Sequence, residues 1–158
     1  MGIDMPWAFD TIKRSKILNV LHQAGCNEDE LRLVRILLAG TKLKVHVKST
    51  YSAEFETTIG SPQGDSLSPV LFTCYLAAAI SSVRRCSTRL NPPISCLGIP
   101  LEMEYPDDVD FIDEEKDTLD RLLPIAAKIL KESNLFMNEA KTEFTHVYLP
   151  DTQEKRKK

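Results

Sequence analysis

From Val70 to Ile80 the chain is almost wholly apolar. The run is shorter than the ~18 residues a membrane span needs, yet too uniformly apolar for a surface helix with one broad wet face. Just before it, Ser68 and Pro69 offer the N-cap and first-turn proline that start a helix, and Arg84 and Arg85 mark its exit to solvent. Such a helix has to be buried on several sides, so the remaining chain must wrap it in a single core. At 158 residues and 42% hydrophobic, the sequence suits one domain able to do this.

The wrapping elements follow from local pattern. Ile12, Ile17, Val20, Leu21 and Ala24 recur at helical spacing, and Gly25 stops the helix. Asn27 with Glu30 three residues on forms a capping box, after which Leu31, Val34 and Leu38 line one helical face up to Gly40. From Leu43 the period changes to two. Leu43, Val45 and Val47, then Phe55, Thr57 and Ile59 after a polar loop, predict a two-stranded ribbon. Gly60 to Ser66 reads as a loop. Leu101, Met103 and Tyr105, the turn Pro106-Asp107-Asp108, and Val109 and Phe111 predict a tight hairpin with carboxylates at its tip. Leu119, Leu122, Leu123, Ala126, Ile129 and Leu130 form another helix, in which Pro124 must lie in the first turn or make a kink. Phe144 to Leu149 closes as a strand, and Gly2 to Asp4 is the stub of one more. Together these predict an α+β fold, a small antiparallel sheet with helices packed on one face, over residues 1–149, followed by a mobile basic tail at 150–158.

Charge is unevenly spread. The net value is −3, too low for a polycationic arm that holds nucleic acid by phosphate neutralisation. Residues 1–100 carry 11 Lys and Arg against 8 Asp and Glu, whereas 101–158 carry 9 against 15. Cys26, Cys74, Cys86 and Cys96 form no CxxC pair and have no histidine at zinc spacing. The N-terminus lacks the basic and apolar regions of a signal peptide, so the expectation is an intracellular protein with no membrane segment.

Asp107 and Asp108 sit side by side where like charges raise one another's pKa. A divalent cation removes that cost. Mg²⁺ favours carboxylate oxygen and substrate phosphate oxygens as ligands, and two ions ~3.5 to 4 Å apart can clamp both the attacking and the leaving oxygen of a phosphoryl transfer. Bridging them requires a third carboxylate from elsewhere in the chain.

Four segments in order carry a resemblance: Asp4-Met5-Pro6-Trp7-Ala8-Phe9-Asp10, the run Gly60-Ser61-Pro62-Gln63-Gly64-Asp65-Ser66-Leu67-Ser68-Pro69, then Tyr105-Pro106-Asp107-Asp108, and Asn138-Glu139-Ala140-Lys141-Thr142-Glu143. They resemble successive palm motifs of reverse transcriptases, the Pro-Gln-Gly segment most of all those of the non-LTR retrotransposon and group II intron branch. The similarity runs from Ile3 to about Val147. It implies a polymerase palm of ferredoxin-like split βαβ type and RNA-directed DNA polymerase activity. It also implies an RNA template, a DNA primer and deoxynucleotides as partners, and two Mg²⁺ ions, with Mn²⁺ as the alternative, held by Asp4, Asp107 and Asp108. Phe9 would lie under the incoming sugar; Pro62, Gln63 and Gly64 would lie along nucleotide and template; and Tyr105 would sit near the primer end. Lys141 is the candidate proton donor to pyrophosphate, or else a solvated strand-edge lysine. Phe9 is equally open to a plain core role, and Asp10 to capping the first helix.

Two positions depart from the family. Pro106 stands where Ala, Val or Met is usual, and Asp110 adds a charge beside Asp108. The fingers that precede a palm and the thumb that follows it are expected to be missing, which predicts weak nucleic-acid binding, little activity in the isolated chain and self-association through an exposed sheet edge. The rival functions are a palm-like nucleotidyl cyclase and a domesticated palm serving as a non-catalytic interaction module.

Overall fold

The computed structural model describes residues 1–62, 64, 66–90, 97–98, 108–113 and 115–145. In chain order the elements are β1 (Gly2–Asp4), α1 (Ala8–Thr11), α2 (Arg14–Gln23), α3 (Glu28–Leu38), β2 (Thr41–Leu43), β3 (His46–Val47), β4 (Thr50–Tyr51), β5 (Phe55–Thr57), α4 (Ser68–Ser87), β6 (Leu97–Gly98), β7 (Asp108–Ile112), α5 (Lys116–Glu132) and a 3₁₀ turn, Glu139–Lys141. The mixture of helices with small antiparallel sheets is the α+β arrangement expected.

The central sheet has the order β1-β7-β6, with both pairs antiparallel. Ile3, Val109 and Phe111 are buried on the helix side, while Gly2, Asp4 and Asp110 are half-buried. That alternation is the period-two signature of a sheet with one wet face. The apolar run does become the central helix. α4 packs against both α2 and α5, burying Phe72, Leu76, Ile80 and Val83, but Val70 and Ala77 remain exposed on a narrow stripe.

Local signals place several ends correctly. Asn27 Oδ1 accepts from the N–H groups of Asp29 and Glu30, and Glu30 Oε2 accepts from Asn27 N at 2.8 Å, closing the capping box. Gly25, at φ +101, terminates α2 with Cys26 N donating to Leu21 O and Gly25 N to His22 O, the double bond pattern of a left-handed C-terminal cap.

Other expectations are corrected. The first helix is two, because Ile12 and Lys13 are extended between α1 and α2. The ribbon is also two: β2 pairs with β5, and β3 with β4 forms a separate short hairpin. Leu43, Val45 and Val47 are exposed, so their alternation reflects strand geometry without a buried face. The N-cap of α4 is Leu67, and Ser68 is its first helical residue. Of the two alternatives for Pro124 only the first-turn one falls, since the residue lies in the interior of α5, where it removes one helical hydrogen bond. Most of the closing strand expected at 144–149 lies outside the described residues; just before it, Glu143 makes an antiparallel bridge to Gly2, which covers β1 on the side away from β7. Positions 101–107 and 146–158 lie outside the described residues, so the hairpin's first strand, its turn and the tail do as well. Among the described residues, no helix is long and apolar enough to cross a membrane.

Tyr75 ties α4 to the end of α5, its hydroxyl donating to Ser133 O at 2.6 Å. Burial pushes the Tyr75 phenol up to about 12. Because the folded value exceeds the unfolded one, the stabilisation is complete below about pH 10 and is lost as pH rises through about 12. Denaturant midpoints should therefore fall over that window in the wild type, and fall less steeply in Tyr75→Phe. Equal slopes would remove Tyr75 from the alkaline transition.

Candidate active site

β1 and β7 create the site. Their register sets Gly2 opposite Asp110, Ile3 opposite Val109 and Asp4 opposite Asp108. Two carboxylate-bearing positions more than a hundred residues apart in sequence thus become direct cross-strand partners. Asp110 follows two positions beyond Asp108 on β7, and its Oδ1 lies only 2.9 Å from where a Cβ on Gly2 would stand. Glycine at position 2 leaves the room that Asp110 occupies.

The other side of β1 is held by the stretch around the 3₁₀ turn. Asn138 grips Asp4 twice: its backbone N–H donates to Asp4 O at 2.9 Å and its Nδ2 to Asp4 Oδ2 at 3.1 Å. Lys141 Nζ approaches Asp4 Oδ1 at 3.4 Å. The Lys141 side chain is 66% exposed and that of Asp4 25%, so the pair contributes little to stability, although it balances the local negative charge. Lys141 N and Thr142 Oγ1 both donate to Asn138 O, which fixes the turn, and Glu143 exchanges backbone hydrogen bonds with Gly2. Asn138 was not legible as a contact of Asp4 in the sequence. Its only signal was that it opens the fourth motif.

The remaining candidates fall into two groups. Phe9 is half-buried and stacks on Phe72, with centroids 4.3 Å apart, so it packs against the core as well as standing in the segment after Asp4. Gly60 and Ser61 dock on that same segment, Gly60 N donating to Ile12 O at 2.9 Å and Ser61 N to Phe9 O at 2.8 Å. The buried Ser61 hydroxyl donates to Ser68 Oγ at 2.8 Å. The half-buried Pro62 follows directly, and Gly64 is exposed. Gln63, Tyr105, Pro106 and Asp107 lie outside the described residues, and Asp108 enters by its backbone position. Among the described residues no three His, Cys, Asp or Glu side chains converge as a metal cluster. Asp10 is exposed within α1 and caps neither that helix nor α2, whose N-caps are Trp7 and Lys13.

The docking of the loop makes a sharp demand at Gly60. Its φ is +76, and an added Cβ would lie 3.0 Å from Asp10 O and 3.1 Å from Phe9 O, both backbone atoms. Gly60→Ala should cost about 2–4 kcal/mol, combining left-handed strain of ~1–2 kcal/mol with displacement of the docked backbone. At Gly25 φ is +101 but nothing lies within 4 Å, so Gly25→Ala should cost the strain alone. Chemical denaturation of both variants checks the difference, and equal losses would mean that the close approach at Gly60 is unimportant.

Over residues 1–157 the chain matches the family described as reverse transcriptase (RNA-dependent DNA polymerase). The chain belongs to the reverse transcriptase family. The reaction of that family is nucleotidyl transfer on a nucleic-acid template and primer. Among solved structures, this reverse transcriptase chain resembles apo telomerase from Candida tropicalis truncated from its C-terminal domain, with a TM-score of 0.67 at 18% identity over 89% of this chain and 29% of that one. At that identity the likeness concerns the fold, and the reverse transcriptase chain spans under a third of the telomerase chain's length. No curated protein sequence matches it.

Proposed function

We propose that this chain is the palm of a reverse transcriptase of the non-LTR retrotransposon or group II intron branch, and that residues 1–149 hold the machinery for adding deoxynucleotides to a DNA primer on an RNA template. The single observation that carries this is the register of β1 on β7, with Asp4 opposite Asp108. Residues directly opposite in an antiparallel pair share a face and lie within reach of one another. The donor set is all oxygen, which fits a hard divalent cation. Asp4, Asp107 and Asp108 would hold two Mg²⁺ ions, with Mn²⁺ as the alternative. Bound there, they would supply charge neutralisation at the reacting phosphate.

The chain's own residues would then do the following. Asn138 holds the Asp4 carboxylate in a fixed orientation, the supporting role that tunes a metal ligand. Lys141 balances the Asp4 carboxylate at 3.4 Å, and a proton-donor role toward pyrophosphate would require it to leave that pair. Phe9, braced by Phe72, would form the floor beneath the sugar, and Pro62, Gln63 and Gly64 would follow nucleotide and template from the docked loop. Tyr105 would stand near the primer end. Such transfers depend mostly on positioning and charge neutralisation.

Incubation with Mg²⁺, labelled deoxynucleotides and a primed RNA template tests this. Extension is expected to be weak, since a chain of net charge −3 neutralises few phosphates, but it should depend on both template and primer. A cyclic product formed without template would favour a nucleotidyl cyclase. Template binding that persists unchanged in Asp108→Asn, with no extension by the wild type, would favour a non-catalytic module.

A further inference from the structure

Arg14 is the first residue of α2 and took no part in the sequence motifs, yet its side chain bonds to three separate places in the fold. Its guanidinium donates to four carbonyl oxygens: Nη1 to Leu38 O at 2.6 Å and to Thr57 O at 2.7 Å, Nε to Gly60 O at 3.0 Å, and Nη2 to Ile59 O at 3.4 Å. The acceptors belong to three places: the end of α3, the end of β5 and the start of the loop. Leu38 is the last residue of α3, where carbonyls lack helical partners and the helix dipole favours a cation. Among the described residues, no carboxylate lies within ion-pair distance of Arg14. Its charge is met by carbonyl dipoles, and partial burial lowers its pKa without threatening protonation.

The geometry around Gly60 explains what this arrangement does. The Gly60 N–H is taken by Ile12 O and the Gly60 C=O by Arg14 Nε, so both of its polar backbone groups are held by residues two positions apart on the segment leading from Asp4. Ser61 N is held by Phe9 O in the same segment. We infer that Arg14 is a positioning residue that fixes the Gly60–Pro62 stretch, and with it the nucleotide-facing loop, relative to the Asp4 strand. The inference rests on the nucleotidyl-transfer reading for its consequence, but not for its geometry. A lysine cannot substitute, because one ammonium with three donors cannot span carbonyls from three elements as a planar fork of five N–H groups does.

The test uses the 158-residue chain with Arg14→Lys and Arg14→Gln. Hydrogen exchange at the Gly60 and Ser61 amides should accelerate by about tenfold or more in both variants, the scale of one lost charge-assisted hydrogen bond, while the amides of α4 and α5 keep their protection. In parallel, Trp7 is the chain's single tryptophan and is 75% exposed between Asp4 and Phe9, so its fluorescence can follow Mg²⁺-deoxynucleotide titrations. The apparent dissociation constant should rise about tenfold in both variants, again by that scale, with Mn²⁺ affinity unchanged. Wild-type exchange rates at Gly60 and Ser61, full rescue by lysine, or equal loss of protection throughout α4 and α5 would each overturn the inference. If the wild type binds no nucleotide, the nucleotidyl-transfer reading fails, and the exchange rates still decide the role of Arg14.

Discussion

Phe72→Ala is expected to lower the folding free energy by about 3–5 kcal/mol, enough to remove much of the stability of a domain this size, since the total is typically ~5–15 kcal/mol. Phe72 is fully buried at the point where α4 passes beneath the segment after Asp4, and its ring stacks on Phe9. Truncation would open a cavity within the hydrophobic core, which close-packed surroundings refill only in part. It would also remove the brace under Phe9. A melting-temperature fall of about 10 °C is the expected reading, and a change under about 2 °C would mean that the pocket collapses around the smaller residue.

Asp4→Asn should have the opposite profile, with a large functional loss and a small change in stability. The exposed ion pair to Lys141 contributes at most about 1 kcal/mol, and an asparagine retains an oxygen to accept from Asn138. The substitution also lowers the negative charge carried by the β1–β7 pair, so it adds no repulsion between like charges. Stability is therefore expected to change by less than about 1 kcal/mol. The proposed metal affinity, by contrast, would depend on that charge directly. Loss of a supporting contact to a metal ligand commonly costs ~10–100-fold, and loss of the ligand itself should reach or exceed the upper figure. Residues that hold a site at a cost in charge repulsion are expected to separate function from stability in this way.

The local signals in the sequence translated well where a few neighbouring residues determine the outcome. The Asn27–Glu30 capping box and the Gly25 stop depend on backbone groups within one turn, so spacing alone specifies them. The stub strand Gly2–Asp4 was legible from the order of the elements, which implies a small antiparallel sheet with room for one more strand at the start of the chain. The failures share one physical cause, a tertiary partner overriding a local preference. Ser68 has the side chain of an N-cap, but it stands one residue inside α4, where its Oγ accepts from the buried Ser61 hydroxyl, and the cap position falls to Leu67. Ile12 fits the helical period, yet its buried side chain and a carbonyl engaged by Gly60 hold it extended. Arg14 and Asn138 make their decisive bonds to positions 24–46 and 134 residues away respectively, and no periodicity reports such distances. The exposed alternation of Leu43, Val45 and Val47 misled in the other direction, since period two marks a strand but not which face is covered.

Asp4 and its cross-strand partner Asp108 are proposed to form a divalent-cation site. Electron paramagnetic resonance titration of Mn²⁺ into the wild-type chain, Asp4→Asn and Asp108→Asn tests it most directly. Saturable binding that Mg²⁺ displaces is expected in the wild type, weakened about 100-fold or more in each variant while both variants melt close to the wild type. Mn²⁺ binding by Asp4→Asn and Asp108→Asn that matches the wild type would contradict it.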